Sequence, residues 1–310
     1  MKYVYSLGSH LTAGFAFFLL TLFLFGESKA QELEPRALTN IPIGMNFAVA
    51  GYAYAKGNIL FDPALPIDDA KANLHTFAAA YLRSINFFGM AGKVDVVVPY
   101  GIGDWNGVYT GVDTTVYRNG FGDMRIRLSF NFLGAPALKP GEFRDYKPEK
   151  ISGFSIQIIA PTGQYFPDKL INLGSNRWVF RPQWGFSRNY SKWILETYLS
   201  MWIYTINSNF IDGYAFKQNP VFALKIHSIR KFENKSWLAL DAGYGFGGRS
   251  STNDIEGDNR ISTIRFGITY AVPLSLHHIL KFSGLSSIAL EKGADFDAIA
   301  VAYQYMWMKK

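Results

Sequence analysis

Hydrophobic and polar residues alternate along most of this chain with the two-residue period of β-strands, and the last segment shows it most plainly. Between Asp297 and Met308, Ile299, Val301, Tyr303, Tyr305 and Trp307 fall on one face, while Ala298, Ala300, Ala302, Gln304 and Met306 fall on the other. Successive strand side chains point to opposite sides, so one face is bulky and apolar and ends in residues that favour the edge of a bilayer. Twelve such segments can be drawn, over 43–56, 73–86, 92–101, 119–133, 151–162, 177–188, 191–204, 217–230, 236–248, 260–272, 278–288 and 296–308. Their connections alternate in length. Gly57–Ala72, Ile102–Arg118 and Arg249–Asn259 read as long loops, whereas Phe87–Ala91, Asn189–Tyr190, Lys231–Lys235 and Pro273–His277 read as tight turns. Long external loops and short periplasmic turns mark a bacterial outer-membrane barrel, and an even strand count leaves both termini in the periplasm. Gly134–Lys150 departs from the rule, being long where a short turn is due.

The faces of the other segments fit a barrel wall. Met124, Ile126, Leu128, Phe130 and Phe132 oppose Asp123, Arg125, Arg127, Ser129 and Asn131; Trp178, Phe180, Pro182, Trp184 and Phe186 oppose Arg177, Val179, Arg181, Gln183 and Gly185. Arginine in mid-strand costs about 2–4 kcal/mol against lipid, so the arginine face must turn inward. The first two segments are too rich in small residues to assign. With odd segments running outward, Phe132, Trp193, Tyr270 and Trp307 fall near the periplasmic rim and Tyr100, Trp178 and Phe246 near the outer rim, which gives two aromatic belts. The fold class is therefore all-β, a transmembrane antiparallel barrel of about twelve strands over residues 43–310.

The start of the chain reads differently. Leu11–Gly26 is apolar without a charge for 16 residues, and Glu27-Ser28-Lys29-Ala30 follows with small residues at a cleavage site. That run is shorter than the roughly 20 residues a spanning helix needs, so residues 1–30 read as a cleaved signal peptide rather than an uncleaved anchor. Gln31 rather than cysteine follows, which argues against a lipid anchor. Residues 31–42 would form a short periplasmic segment that could act as a plug.

Composition narrows the class further. Of 31 Lys and Arg and 24 Asp and Glu, removing Lys2, Lys29 and Glu27 leaves 29 and 23, a net charge of +6. The chain has no cysteine, which excludes disulfides and thiolate chemistry, and 16% of its residues are aromatic. No clustered run of Lys or Arg suggests nucleic acid as a partner. The expected partners are outer-membrane lipid, a small-molecule solute and the barrel-assembly machinery, in the cell outer membrane of a Gram-negative bacterium; the oligomeric state is left open.

The candidate lumen residues are Arg125, Arg127, Arg181, Lys225, Arg265 and Lys281, against Asp95, Glu196 and Asp241. The three-charge excess admits two readings. Rings of basic side chains select anions, and salt-bridged side chains equally well stiffen a wall. Glu196, Tyr198, Ser200, Trp202 and Tyr204 form an inward ladder that could stack against solutes or pack against a plug. No catalytic set emerges: His75, His227 and His277-His278 lack a serine two residues away on the same face. Asp68-Asp69 and the Asp254, Glu256, Asp258 group read as solvated loop charges, and no metal site or cofactor is expected. The Gly243-x-Gly245-x-Gly247-Gly248 run has no helix after it, so its glycines leave room inside the wall rather than cradle phosphate.

Four stretches carry a family resemblance: Arg36–Phe47 (RALTNIPIGMNF), Gly122-Asp123-Met124-Arg125 through Leu138, Ile171–Trp178 (INLGSNRW) and Gly293–Phe296. Together they resemble the meta-pathway phenol-degradation transporter family. The resemblance implies an outer-membrane channel and uptake of aromatic compounds, and it implies no catalytic residues. Functional-amyloid secretion channels of the same broad family are trimeric with an N-terminal coiled coil; here about a dozen residues without heptads precede the first strand. The functional expectation is thus passive passage of small solutes, aromatic or anionic ones among them. The alternatives are a plugged structural or adhesion barrel without a conducting pore, or an amyloid or polypeptide export channel.

Overall fold

A strand with one apolar face can leave water only if its backbone groups are paired on both edges, which a closed sheet achieves. The computed structural model describes residues 33–59, 67–109, 111–211, 213–291 and 294–308, so the expected signal peptide lies outside the described residues. The strands in chain order are β1 (Met45–Ile59), β2 (Ile67–Phe87), β3 (Met90–Tyr109), β4 (Val112–Phe121), β5 (Arg125–Pro136), β6 (Lys150–Ile159), β7 (Val179–Tyr190), β8 (Trp193–Tyr204), β9 (Asn207–Phe210), β10 (Tyr214–Gln218), β11 (Val221–Lys231), β12 (Trp237–Gly247), β13 (Ser250–Thr252), β14 (Ile255–Glu256), β15 (Ile261–Pro273), β16 (His278–Ala289) and β17 (Ala294–Met308).

Neighbours pair antiparallel around the wall in the order β1, β2, β3, β5, β6, β7, β8, β11, β12, β15, β16, β17, and β17 returns to β1 from Met45↔Met308 to Ile59↔Ala294. β4 pairs with the outer part of β3 and β5 with its inner part, so they share one wall position interrupted at Gly122–Met124. The wall therefore has twelve positions, one for each expected segment. Hairpin geometry follows local chemistry. Phe88 and Gly89, both at positive φ, close β2 onto β3 in a two-residue turn whose twist matches the strands.

The expected outer loops are more ordered than their composition suggests. Ile102–Arg118 is not a loop but the outer half of a β3–β4 hairpin, paired from Tyr100↔Phe121 to Tyr109↔Val112. Its Gly, Asp and Asn residues resemble loop chemistry, yet interspersed Val and Thr residues suit the ladder that the two strands form. Arg249–Asn259 carries β13 and β14, which join β10 and β9 in a separate four-stranded sheet. The eighth expected segment begins at Val221 rather than 217, because Pro220 cannot donate to the ladder and separates β10 from β11.

The outer surface is a continuous apolar band. Phe77, Val98, Ile126, Trp184, Leu199, Leu224, Leu240, Phe266, Phe282 and Ile299, one from each of ten wall strands, are all exposed. A patch of that extent matches hydrocarbon rather than water. No helix among the described residues is long and apolar enough to cross a membrane, and the chain crosses with strands.

Candidate functional site in the barrel lumen

Strand alternation places Asp95, Arg127, Arg181, Glu196, Tyr198, Trp202, Lys225, Asp241, Arg265 and Lys281 on the buried inner face, with Arg125 partly buried on the same face. The outer face carries Tyr100, Phe132, Trp178, Trp193, Phe246, Tyr270 and Trp307, none of them buried. β1 and β2, left unassigned by sequence, turn Phe47, Val49, Ala53, Ala55, Leu74, Ala78, Ala80 and Leu82 inward. Together with Ala298, Ala302 and Met306 of β17, they make one side of the lumen apolar and small. The charged residues lie on the other side, from β3 around to β16.

The space between is entered by residues 33–42, whose Leu33, Glu34, Arg36, Leu38, Asn40 and Ile41 are all buried. Glu34 forms an ion pair with Arg127 Nη1, and its other oxygen lies 3.7 Å from Arg181 Nη2. Arg127 also donates through Nε to Asp95 at 2.9 Å, so one guanidinium spans two carboxylates. Arg181 in turn lies over the ring of Trp202, 5.3 Å from its centroid. Arg36 adopts φ +69°, sparsely populated for a non-glycine residue and costing about 1–3 kcal/mol. The strain is held by its own backbone N–H, which donates to Glu196 Oε2 at 2.6 Å, and by a turn from Thr39 N–H to the Arg36 carbonyl. Its guanidinium sits 5.6 Å from the centre of the Trp237 ring, and burial lowers its pKa to about 10 despite the adjacent Glu196.

Backbone bonds fix the rest of the segment. Leu38 N–H donates to the Tyr198 hydroxyl at 3.3 Å, and Tyr198 donates to Glu196 at 2.9 Å. Asn131 donates to the Leu38 carbonyl at 2.9 Å and Lys93 to the Ala37 carbonyl at 2.5 Å. The wall makes room for the two leucines with glycine. A Cβ on Gly267 would lie 2.9 Å from Leu33 Cδ1, and one on Gly153 would lie 2.7 Å from Leu38 Cδ2.

The anomalous Gly134–Lys150 connection finds its reason here. Asn40 donates to the Pro136 carbonyl at 3.2 Å and Ile43 N–H to the Leu138 carbonyl at 2.9 Å, so this long turn clasps the segment where it leaves the barrel. A short 3₁₀ turn over Glu142–Asp145 then carries Tyr146 to the Gly134 carbonyl, and burial raises the Tyr146 phenol to about 12.

Beyond the predicted set, the structure adds Glu34, Arg36, Lys93, Asn131, Gln183 and His227. Lys225 donates to Gln183 at 2.7 Å, and His227 Nδ1 lies 2.6 Å from Asp241 in a fully buried pair. Glu34 was detectable only indirectly, as the countercharge that an excess of inward arginines requires. The partner of His227 lies on the neighbouring strand, across the ladder at His227↔Asp241, where spacing along a single strand carries no signal of it.

Comparison with solved structures places this geometry among outer-membrane barrels. The COG4313 outer membrane channel from Pseudomonas putida F1 superposes with a TM-score of 0.76 at 18% identity, covering 89% of this chain and 100% of that one. The transport unit of the Escherichia coli autotransporter AIDA-I superposes with a TM-score of 0.53 at 8% identity, covering 90% and 94% respectively. At these identities the likeness is one of fold. No curated protein matches the sequence. Residues 67–299 match the family described as "Putative MetA-pathway of phenol degradation", a span reaching from β2 into β17, and the chain belongs to that family.

Proposed function

We propose that the protein is an outer-membrane channel for passive passage of small aromatic solutes, with residues 33–42 serving as a plug in its lumen. The observation that carries the reading is the two-sided lumen: a small, apolar wall on β1, β2 and β17 faces a charged wall that binds the N-terminal segment. An apolar wall can slide past a ring without trapping it, while the charged wall, engaged with Glu34 and Arg36, holds the plug rather than offering a free ring of cations. Family membership supports an aromatic solute. Residues 1–30 would export the chain as a signal peptide, the barrel-assembly machinery would insert it, and Tyr100, Trp178, Phe246, Phe132, Trp193, Tyr270 and Trp307 would lie at the two membrane interfaces. Arg125, Arg265 and Lys281 belong to the same charged wall.

Planar-bilayer recording on the folded, heat-modifiable protein tests this reading. The intact chain should show small or intermittent conductance, and a variant lacking residues 31–42 should show larger, steadier steps. A second reading, a barrel with a purely structural role, is favoured by the dense anchoring of Glu34, Arg36 and Leu38. Silence from both proteins would establish that reading against ours.

A further inference from the structure

At the outer end of the lumen the β3–β4 hairpin borders a half-open cavity that the passage reading leaves without a role. Its volume is about 370 Å³. Trp105 and Tyr109 of β3 and Val116 of β4 line it, and Leu170, Ile171 and Ile211 close it from two outer loops. It is mostly apolar, with Asn106, Thr114, Arg118 and the Asp168–Lys169 ion pair supplying polar groups.

Several features give this cavity a built wall rather than a chance gap. Arg118 donates through Nε to the Ile171 carbonyl at 2.9 Å, which clasps the 168–171 loop onto β4. Trp105 folds against Gly103, where a Cβ would lie 2.8 Å from its ring and 3.0 Å from Leu74. A side chain at position 103 would therefore push the indole out of place. Trp105 also packs against the cluster of Leu33, Ala55, Leu74, Leu285 and Ala298, so one indole forms a wall of the cavity and backs onto the cluster to which the N-terminal segment contributes Leu33.

We infer that this cavity is a capture site for a single-ring aromatic alcohol, stacked on Trp105 before it enters the lumen; the inference rests on the channel reading above. Apolar cavities of about 150 Å³ hold one benzene ring, and ligand pockets begin at about 300 Å³, so one substituted ring fits with room to enter. The indole supplies a π-face that an aliphatic ring of the same size cannot use equally. The polar groups among the lining side chains suit one hydroxyl. Through Trp105 an occupant would rest against the cluster that contains Leu33 of the plug.

The test uses the full-length folded protein in lipid nanodiscs, with 4-fluorophenol followed by fluorine NMR against empty nanodiscs. Saturable broadening is expected for the wild type, weakened at least fivefold in Trp105→Ala and in Ile171→Asp and largely kept in Trp105→Phe. Cyclohexanol should compete at least fivefold more weakly than phenol. Each variant is first checked for heat-modifiable mobility, so that loss of binding is separate from loss of fold. Equal binding by Trp105→Ala and wild type, or equal competition by cyclohexanol, overturns the site. Phenol flux into liposomes reads the channel independently: flux without saturable binding removes the site and keeps the channel, and saturable binding without flux removes the channel alone.

Discussion

Glu34 and Arg127 are 93 residues apart in sequence and form an ion pair inside the barrel, both side chains under one-tenth exposed. Arg127 also holds Asp95, so the N-terminal segment enters a network that already contains one carboxylate. Removing one member of a buried pair leaves the other uncompensated and costs about 3–5 kcal/mol. The two partners should therefore not be equivalent. Arg127→Met takes the bridging guanidinium from both Asp95 and Glu34, leaving Glu34 with Arg181 at 3.7 Å, and should lower the denaturant midpoint strongly. Glu34→Gln leaves Arg127 paired to Asp95 and should mainly loosen the segment. Equal losses from the two variants in urea titrations would refute this asymmetry.

The glycine cradle offers a way to displace the segment without removing a charge, although a side chain at 267 would also come within 3.3 Å of the Asp241 carboxylate. Gly267→Val puts a side chain where Leu33 Cδ1 now lies. The barrel should still fold, since β-branched residues suit strands. The segment should become accessible, read as faster proteolytic trimming near residue 33 and as a rise in single-channel conductance. Unchanged trimming and conductance would show that Leu33 does not need this space.

On the outer face the cost of a charge should depend on depth. Ile268→Arg, in the middle of β15, faces the apolar band and should cost about 2–4 kcal/mol, whereas Trp307→Arg, next to the end of β17, should cost about 0–1 kcal/mol of charge penalty beyond the lost ring. Reversible unfolding in short-chain lipid vesicles measures both. Equal penalties would mean that the strand ends lie as deep in lipid as the centre.

Tyr146 gives the clasp a pH dependence. Its phenol titrates near 12 in the fold and near 10 when unfolded, because burial disfavours the phenolate. The neutral form is the one the fold prefers, so its contribution is complete below pH 10 and is lost as pH rises from 10 through 12. Tyr146→Phe should lack that part of the alkaline loss. A variant whose alkaline unfolding curve overlays the wild type between pH 9 and 12 would remove Tyr146 from the account.

The sequence determined what is local. Period-two alternation assigns Trp184 to lipid and Arg181 to the interior without any knowledge of their neighbours, and turn residues separate most of the twelve wall strands correctly. It misread the outer loops, because Gly, Asp and Asn in Ile102–Arg118 look like loop chemistry although their backbone is paired in the β3–β4 hairpin. Only the tertiary structure decided what fills the barrel. Glu34 meets Arg127, Leu38 meets Tyr198, and Leu33 meets Gly267 across a closed lumen, and none of these pairs shares a strand or a turn. Alternation fixes which way a side chain points; closure of the wall and the path of the chain within it fix what that side chain meets.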